Sequence, residues 1–421
     1  MKFIYKYLKK YHFEVSIGLC FFLPPVGLLL LMFIGWHSLH RVWKEGRLFS
    51  FTLGQFLFGS MFISTIGSSI IMKNYSFFLV SALILAYMGI YVKMSADGVQ
   101  RTFTSFKWLT IAGGLYCYGL YPFQQELMTH PISSFLTGTT LVGATHIEEY
   151  ERLIGAAYNP NFSVALLLFG LSFLLAECLK SIRKSCWIQL GIIMVTVMFF
   201  LHAIILTGSR AGFCISIVIL TLFTFRWNKL FAFVLITFLA LNYKLILTWM
   251  PRYNELIRSA DVRKEIWGRS FEIWQNHSLF GTSSIGFYQE YFFHYHEKIP
   301  HAHNIILSMF AEYGSLGGIA FLIVILINGY RVTWLFLSKE TDKKFLDVYL
   351  LSLPVILLTG IVDHVLYSPQ VAIMAIIILA SWDKYTARLY LINPSIWIFT
   401  GKWIWWNTLK ASKNPKNQTP S

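Results

Sequence analysis

The chain has 421 residues, of which 56% are hydrophobic and 13% charged, with a mean hydropathy of +0.57, and this excludes a soluble globular protein. Its 35 Lys and Arg against 20 Asp and Glu would suit nucleic acid only on a soluble basic face, and no segment offers one; membrane topology accounts for much of the excess instead. Cys20, Cys117, Cys178, Cys186 and Cys214 lie in or beside apolar runs without paired metal spacing, which argues against a disulfide framework or a zinc site and leaves packing as their role.

Apolar runs long enough to cross roughly 30 Å of hydrocarbon recur along the chain, and such spans must be helices that satisfy their own backbone. The runs predict spans near 14–36, 49–72, 77–93, 108–123, 162–180, 187–206, 210–226, 229–249, 304–327, 345–362 and 366–382. Lys2, Lys6, Lys9 and Lys10 precede the first, like a signal sequence, but no convincing small-residue cleavage site follows, so the segment is read as retained. Basic clusters at Arg41/Lys44/Arg47, Lys93/Arg101/Lys107, Arg183/Lys184, Arg226/Lys229 and Arg331/Lys339/Lys343/Lys344 alternate onto one side, expected to be cytoplasmic. Two long loops, about 124–161 and 250–303, then face outward. Eleven spans would leave the lysine-rich N-terminus outside, and Pro24-Pro25 offers a resolution by breaking residues 12–36 into a hairpin of two short or tilted helices. The expected fold is thus an all-α polytopic membrane protein with 11–12 transmembrane helices, comprising a membrane domain over 1–384 and a cytoplasmic segment over 385–421. Trp and Tyr within 385–409 suggest an interfacial helix after the last span, and the C-terminal tail, with Lys402, Lys410, Lys413 and Lys416, is expected inside.

The informative polar residues gather in the outer loops and at helix mouths. Arg152 to Asn161 leads directly into an apolar helix; Asn159 before Pro160 is turn chemistry, while Asn161 fits either an N-cap or a ligand contact. Thr207-Gly208-Ser209-Arg210-Ala211-Gly212 places Arg210 at the outer boundary, where a guanidinium requires either helix-end carbonyls or an anion such as a diphosphate. Asp261 to Arg269 has helical spacing, with Arg263 and Trp267 on one face, and suits either a surface helix with snorkelling Arg or a ligand-facing one. Asp363-His364 could pair with an arginine or polarise a histidine, though helix-end structure is the default reading. His301-Ala302-His303-Asn304 stands where a polar loop meets an apolar helix carrying Gly314, Gly317 and Gly318. Those glycines would permit close packing and hold His303 rigidly, and its imidazole can accept a proton from a sugar hydroxyl near neutrality.

In this order the residues resemble the O-antigen ligase and polysaccharide polymerase superfamily, the Wzy_C group. The carrying segments are T-G-S-R-A-G around Arg210, R-x-x-I-W from Arg263 to Trp267 with the following L-F-G, and H-N-x9-G-x2-G from His303 to Gly317. Arg152 to Asn161 also looks like the superfamily's first outer-loop signature, so the resemblance covers about residues 150–370. It implies a GT-C-like, metal-independent, inverting glycosyltransferase of the bacterial plasma membrane, without cofactor, whose active site faces outward and whose donor is an undecaprenyl diphosphate-linked glycan. His303 would serve the hydroxyl of a glycan or lipid-linked acceptor, and Arg210 and Arg263 the donor diphosphate. Arg152, Asn159, Asn161, Arg269, His301 and Asn304 would be substrate-binding residues, with His301 an alternative to His303 if the helix starts later. No Asp-x-Asp metal motif occurs. Partners would be the bilayer and polysaccharide-assembly proteins. Polymerase is slightly favoured over lipid A-core ligase, while a lipid-linked sugar transporter is disfavoured by polar groups gathering at one face rather than the midplane. A non-catalytic scaffold would tolerate replacement of His303.

Overall fold

The computed structural model describes residues 2–46, 52–95, 99–140, 151–337 and 345–387. Among these the regular structure is helical, as backbone groups in hydrocarbon require. The expected break at Pro24-Pro25 is present. Helix α1 (Lys2–Phe22) and α2 (Pro24–Lys44) turn at Leu23, with proline in the first turn of α2, where its missing N–H has no helical partner to lose. Both are longer than short hairpin arms. Then come α3 (Leu53–Ile71), opened by a Thr52/Gln55 capping box, α4 (Phe78–Ser95), α5 (Val99–Leu120) and two short outer-loop helices, α6 (Gln124–Thr129) and α7 (Pro131–Thr137). Gly35 of α2 and Gly89 of α4 let these helices touch, since a Cβ on Gly89 would lie 1.9 Å from the Gly35 oxygen.

The next helices are α8 (Pro160–Arg183), α9 (Trp187–Leu206) and α10 (Arg210–Trp227). The 229–249 run is divided into α11 (Lys229–Leu241) and α12 (Tyr243–Trp249), bent by 79° at Asn242. The second outer loop is largely helical, with α13 (Leu256–Asn276) and α14 (Ser283–Tyr295). The chain closes with α15 (Ile305–Leu337), α16 (Leu346–Val362) and α17 (Pro369–Ala387). Helix α8 is the hub: 94% of its apolar window is buried inside the protein, against α5, α9, α10 and α16. A smaller core of Ile266, Ile273, Phe287, Tyr291, Ala302 and Ala311 fastens α13 and α14 to α15.

Among the described residues seven helices are long and apolar enough to span a membrane, eight if the bent pair forms one span. This makes the chain a multi-pass membrane protein. The count is lower than the expected 11–12, for local reasons. Helix α16 has 17 residues, and α5 and α17 are of spanning length but carry Arg101 and Lys107, and Asp383 and Lys384, respectively. Residues 388–421, with the expected interfacial segment and tail, lie outside the described residues, as do Arg47, Lys339, Lys343 and Lys344.

Charge is arranged in two layers at opposite helix ends. At the end expected to be cytoplasmic, Asp347 accepts from Arg183 at 2.5 Å and Arg226 at 2.9 Å, Glu177 pairs with Lys107 and Lys180, and Arg331 meets Asp383 at 2.8 Å. These pairs neutralise charges that isolation in apolar surroundings would make costly. At the other end the N-termini of α8, α10 and α15 meet the C-terminus of α16, and there the balance is different.

Candidate active site

Pro160 and Asn159 start α8: the Asn159 side chain accepts the Asn161 N–H at 2.8 Å. Asn159 is therefore the N-cap, and Asn161, which fitted that role from sequence, has its side chain free for other work. Its Nδ2 donates to Asp363 Oδ2 at 2.8 Å, while its Oδ1 accepts from Arg152 Nη2 at 3.2 Å. Arg152 also donates from Nε to the Thr207 carbonyl at 2.7 Å, tying the first outer loop to the turn before α10.

Helix α15 begins with Asn304 as its cap, accepting the N–H groups of Ile306 and Leu307 at 3.0 and 3.1 Å. Its Nδ2 donates to Ile361 O at 3.1 Å, so the start of α15 is fastened to the end of α16. That fastening places His303 beside Asp363: Nδ1 and Oδ1 are 2.9 Å apart. A proton on Nδ1, donated to the carboxylate, leaves Nε2 as the bare nitrogen, which is the tautomer a general base needs. Burial works against the Asp363 charge, but the His303 hydrogen bond and the nearby His303, His301 and Arg263 outweigh it and hold the carboxyl well below the usual carboxylate range.

Asp363 is the residue that sequence reasoning undervalued. It joins His303, Asn161 and the His364 N–H, the last at 2.8 Å. A signal did exist in the sequence: a carboxylate at a helix C-terminus opposes the helix dipole and so needs partners from elsewhere. Arg210 is the mirror case, a cation at the N-terminus of α10. Its Nη1 donates to the Arg252 carbonyl at 3.0 Å, so the carbonyl alternative holds in part, yet Arg210 also lines a cavity.

That cavity, of about 180 Å³, is lined by Arg152, Arg210, Arg252 and Arg263, by Asn161 and Asp363, and by Ser209, Ala211 and Gly212 at the start of α10. Four guanidinium groups and a helix N-terminus line the cavity together with one carboxylate, an arrangement that attracts a polyanion. Arg263 makes no hydrogen bond or ion pair with the described residues. Arg252, unnoticed in the sequence, adopts φ +54° and pairs with Glu255. That hydrogen bond, with Arg210 and Arg152 further off, keeps the Glu255 carboxyl below its usual range.

Helix α13 presents Arg263 and Trp267 on one face, as the spacing predicts. Arg263 lines the cavity, and Trp267 Nε1 lies 3.4 Å from the His303 carbonyl. Trp274, further along, packs on Phe310 of α15 at 5.1 Å, so α13 is docked on the protein. Gly314, expected to permit helix packing, instead breaks α15 at φ +62°, and the backbone of residues 278–282 fills the gap. Ser315 N–H donates to Ser278 O at 2.7 Å and Thr282 N–H to Ala311 O at 3.0 Å.

Other expected site residues lie away from the cavity lining. Arg269 bonds Glu265 at 2.5 Å and Glu297 at 2.9 Å and covers the Tyr295 ring at 4.7 Å. Asn159 and Asn304 are engaged as caps. His301 is buried, and burial pushes its imidazole down to about 4 despite the pull of Asp363, so its 3.9 Å approach to Asp363 Oδ1 is not an ion pair near neutral pH. Three potential metal-ligand atoms, from His301, His303 and Asp363, do lie within 4.8 Å of one another. His303 Nδ1 bonds Asp363 Oδ1, and His301 Nδ1 accepts the backbone N–H of His303 at 3.2 Å.

Residues 195–322 match the Wzy_C family model, described as O-antigen ligase. Arg210, Arg263 and His303 fall inside the matched segment, while Arg152, Asn161 and Asp363 come from outside it. No match was found among curated proteins. The chain is a multi-pass membrane protein whose residues 195–322 are similar to the Wzy_C domain described as O-antigen ligase, a family that implies a glycosyltransferase-like enzyme in general.

Proposed function

We propose that the protein transfers glycan from an undecaprenyl diphosphate-linked donor to a sugar hydroxyl, as a polysaccharide polymerase at the outer face of the bacterial plasma membrane. The observation that carries this reading is the pairing of His303 with Asp363 beside a cavity lined by four arginines. Asp363 directs the bare Nε2 of His303 toward an acceptor. As the acceptor oxygen bonds to the anomeric carbon, its proton passes to Nε2. On the opposite side of that carbon the bond to the diphosphate oxygen breaks, and its electron pair leaves with the diphosphate. A single displacement of this kind inverts the anomeric centre. Arg210, Arg263, Arg252 and Arg152 stabilise the leaving charge without a divalent metal. Of the four, Arg263 makes no hydrogen bond or ion pair with the described residues, whereas Arg152 and Arg210 each also donate to a carbonyl and Arg252 pairs with Glu255.

Ligation of a finished polysaccharide to lipid A-core would use the same donor and base, and differs in the acceptor. The test is transfer by purified protein from lipid-linked oligosaccharide to candidate acceptors, in chelator, for wild type and His303→Ala. Loss of transfer in His303→Ala is expected; undiminished transfer removes the base role. Extension of lipid-linked repeat units supports polymerase and extension of lipid A-core supports ligase. Movement of lipid across vesicles with no new glycosidic bond would make the protein a transporter.

A further inference from the structure

His303 has φ +48°, in the left-handed region that side chains disfavour, and something must hold it there. The Nδ1 atom of His301 lies 3.2 Å from the His303 backbone nitrogen, two residues on. This is the geometry of an Asx-turn, in which a side chain accepts the N–H of the second following residue, here made by imidazole. The His301 ring is itself fixed, buried among Tyr367 at 5.0 Å, His364 at 5.6 Å and the His303 ring at 4.4 Å. The neighbouring Ala302 is fully buried, with its N–H 3.3 Å from Ser308 Oγ, so the turn is anchored on both sides.

We infer that His301 is a positioning residue, which accepts the His303 N–H at Nδ1 and so sets the direction of the His303 imidazole. The role requires a neutral ring with its proton on Nε2, because a protonated Nδ1 would be a donor. It would then repel the His303 N–H and turn toward Asp363 Oδ1, 3.9 Å away, the atom that orients His303. Burial, which holds His301 down to about 4, keeps it in the neutral form at neutral pH. The inference rests on the reading of His303 as the base, and it distinguishes His301 from a substrate contact: the ring works through the backbone of its neighbour.

The experiment compares His301→Asn, His301→Phe and His303→Ala in the transfer assay, with ring ¹⁵N NMR on histidine-labelled wild type. Asparagine offers an amide oxygen where Nδ1 stood and forms the Asx-turn natively; phenylalanine fills the space without an acceptor. His301→Phe is expected to lose about 10²-fold in kcat, with KM changed by less than about two-fold, since misplacement of a base acts on the chemical step. His301→Asn is expected to stay within about ten-fold of wild type. NMR is expected to find Nδ1 of His301 unprotonated at pH 7. If His301→Phe turns over like wild type while His303→Ala is dead, the inference fails and the function stands. A His301→Asn as slow as a well-folded His301→Phe also overturns it. If His303→Ala transfers undiminished, the function reading fails, and the wild-type NMR decides the turn alone: a proton on Nδ1 refutes it.

Discussion

Replacing Asp363 by Asn tests the site at its joint. The carboxylate accepts three hydrogen bonds, from His303 Nδ1, Asn161 Nδ2 and the His364 N–H, at 2.9, 2.8 and 2.8 Å, with 9% of its side chain exposed. An amide of the same shape has one oxygen to offer. If that oxygen faces His303 and His364, its NH₂ confronts the NH₂ of Asn161; a flip of Asn161 would relieve this only by turning its NH₂ on Arg152 Nη2, now 3.2 Å from Oδ1. If the NH₂ faces His303 instead, the ring must carry its proton on Nε2, and the base is lost. General base catalysis contributes about 10²–10⁴-fold, so kcat should fall by that factor, or about 3–5 kcal/mol of barrier. One donor left unsatisfied in a buried position should also lower folding stability by about 1–3 kcal/mol. The assay is single-turnover transfer in nanodiscs, with the thermal midpoint of the same preparation as control. An Asp363→Asn protein with wild-type kcat would refute the tautomer argument.

The remaining predictions concern charge, backbone and pH. Arg263→Ala should raise KM for the lipid-linked donor and slow transfer by about 10²–10³-fold, the usual effect of deleting one oxyanion-stabilising donor; Arg269→Ala should instead lower the thermal midpoint and leave KM within about two-fold, because its partners are Glu265, Glu297 and Tyr295. Gly314→Ala should destabilise by at least about 1–3 kcal/mol from backbone strain alone, since φ +62° and ψ −169° suit only glycine. A Cβ there would meet Leu279 O at 2.2 Å, so thermal unfolding should separate it sharply from an exposed control such as Gly329→Ala. Burial holds His301 at about 4 and His364 at about 3, below the ordinary 6.5. The unfolded chain therefore binds more protons between those values, and stability should fall as pH drops from about 6.5 toward 3. The depressed Asp363 carboxyl adds to this at the acid end, its contribution being present above the ordinary value of 3.8 and lost as pH falls through its lower folded-state value. A thermal midpoint unchanged from pH 7 to 4.5 would contradict this.

Much of the architecture was legible in the sequence because a membrane helix is a local object. The length of an apolar run and the prolines that interrupt it determined α8, α9 and α10 nearly residue by residue, and Pro24 marked the turn at Leu23. The alternation of basic loops placed Arg152, Arg210, Arg263 and His303 at one end, and four helix termini do converge there. What the sequence left undecided was which polar groups are used up in making the fold. Asn159 and Asn161 differ by two positions, yet one is a cap and the other bridges Arg152 to Asp363; Arg263 and Arg269 lie on one helix, yet one lines the cavity and the other is held by glutamates. His301 and His303 divide in the same way, for His301 is buried and accepts its neighbour's N–H while His303 bonds Asp363. Such assignments depend on contacts made across 60 to 202 residues of chain, as from Asp363 to His303 and to Asn161, and only the packing of α8, α15 and α16 decides them.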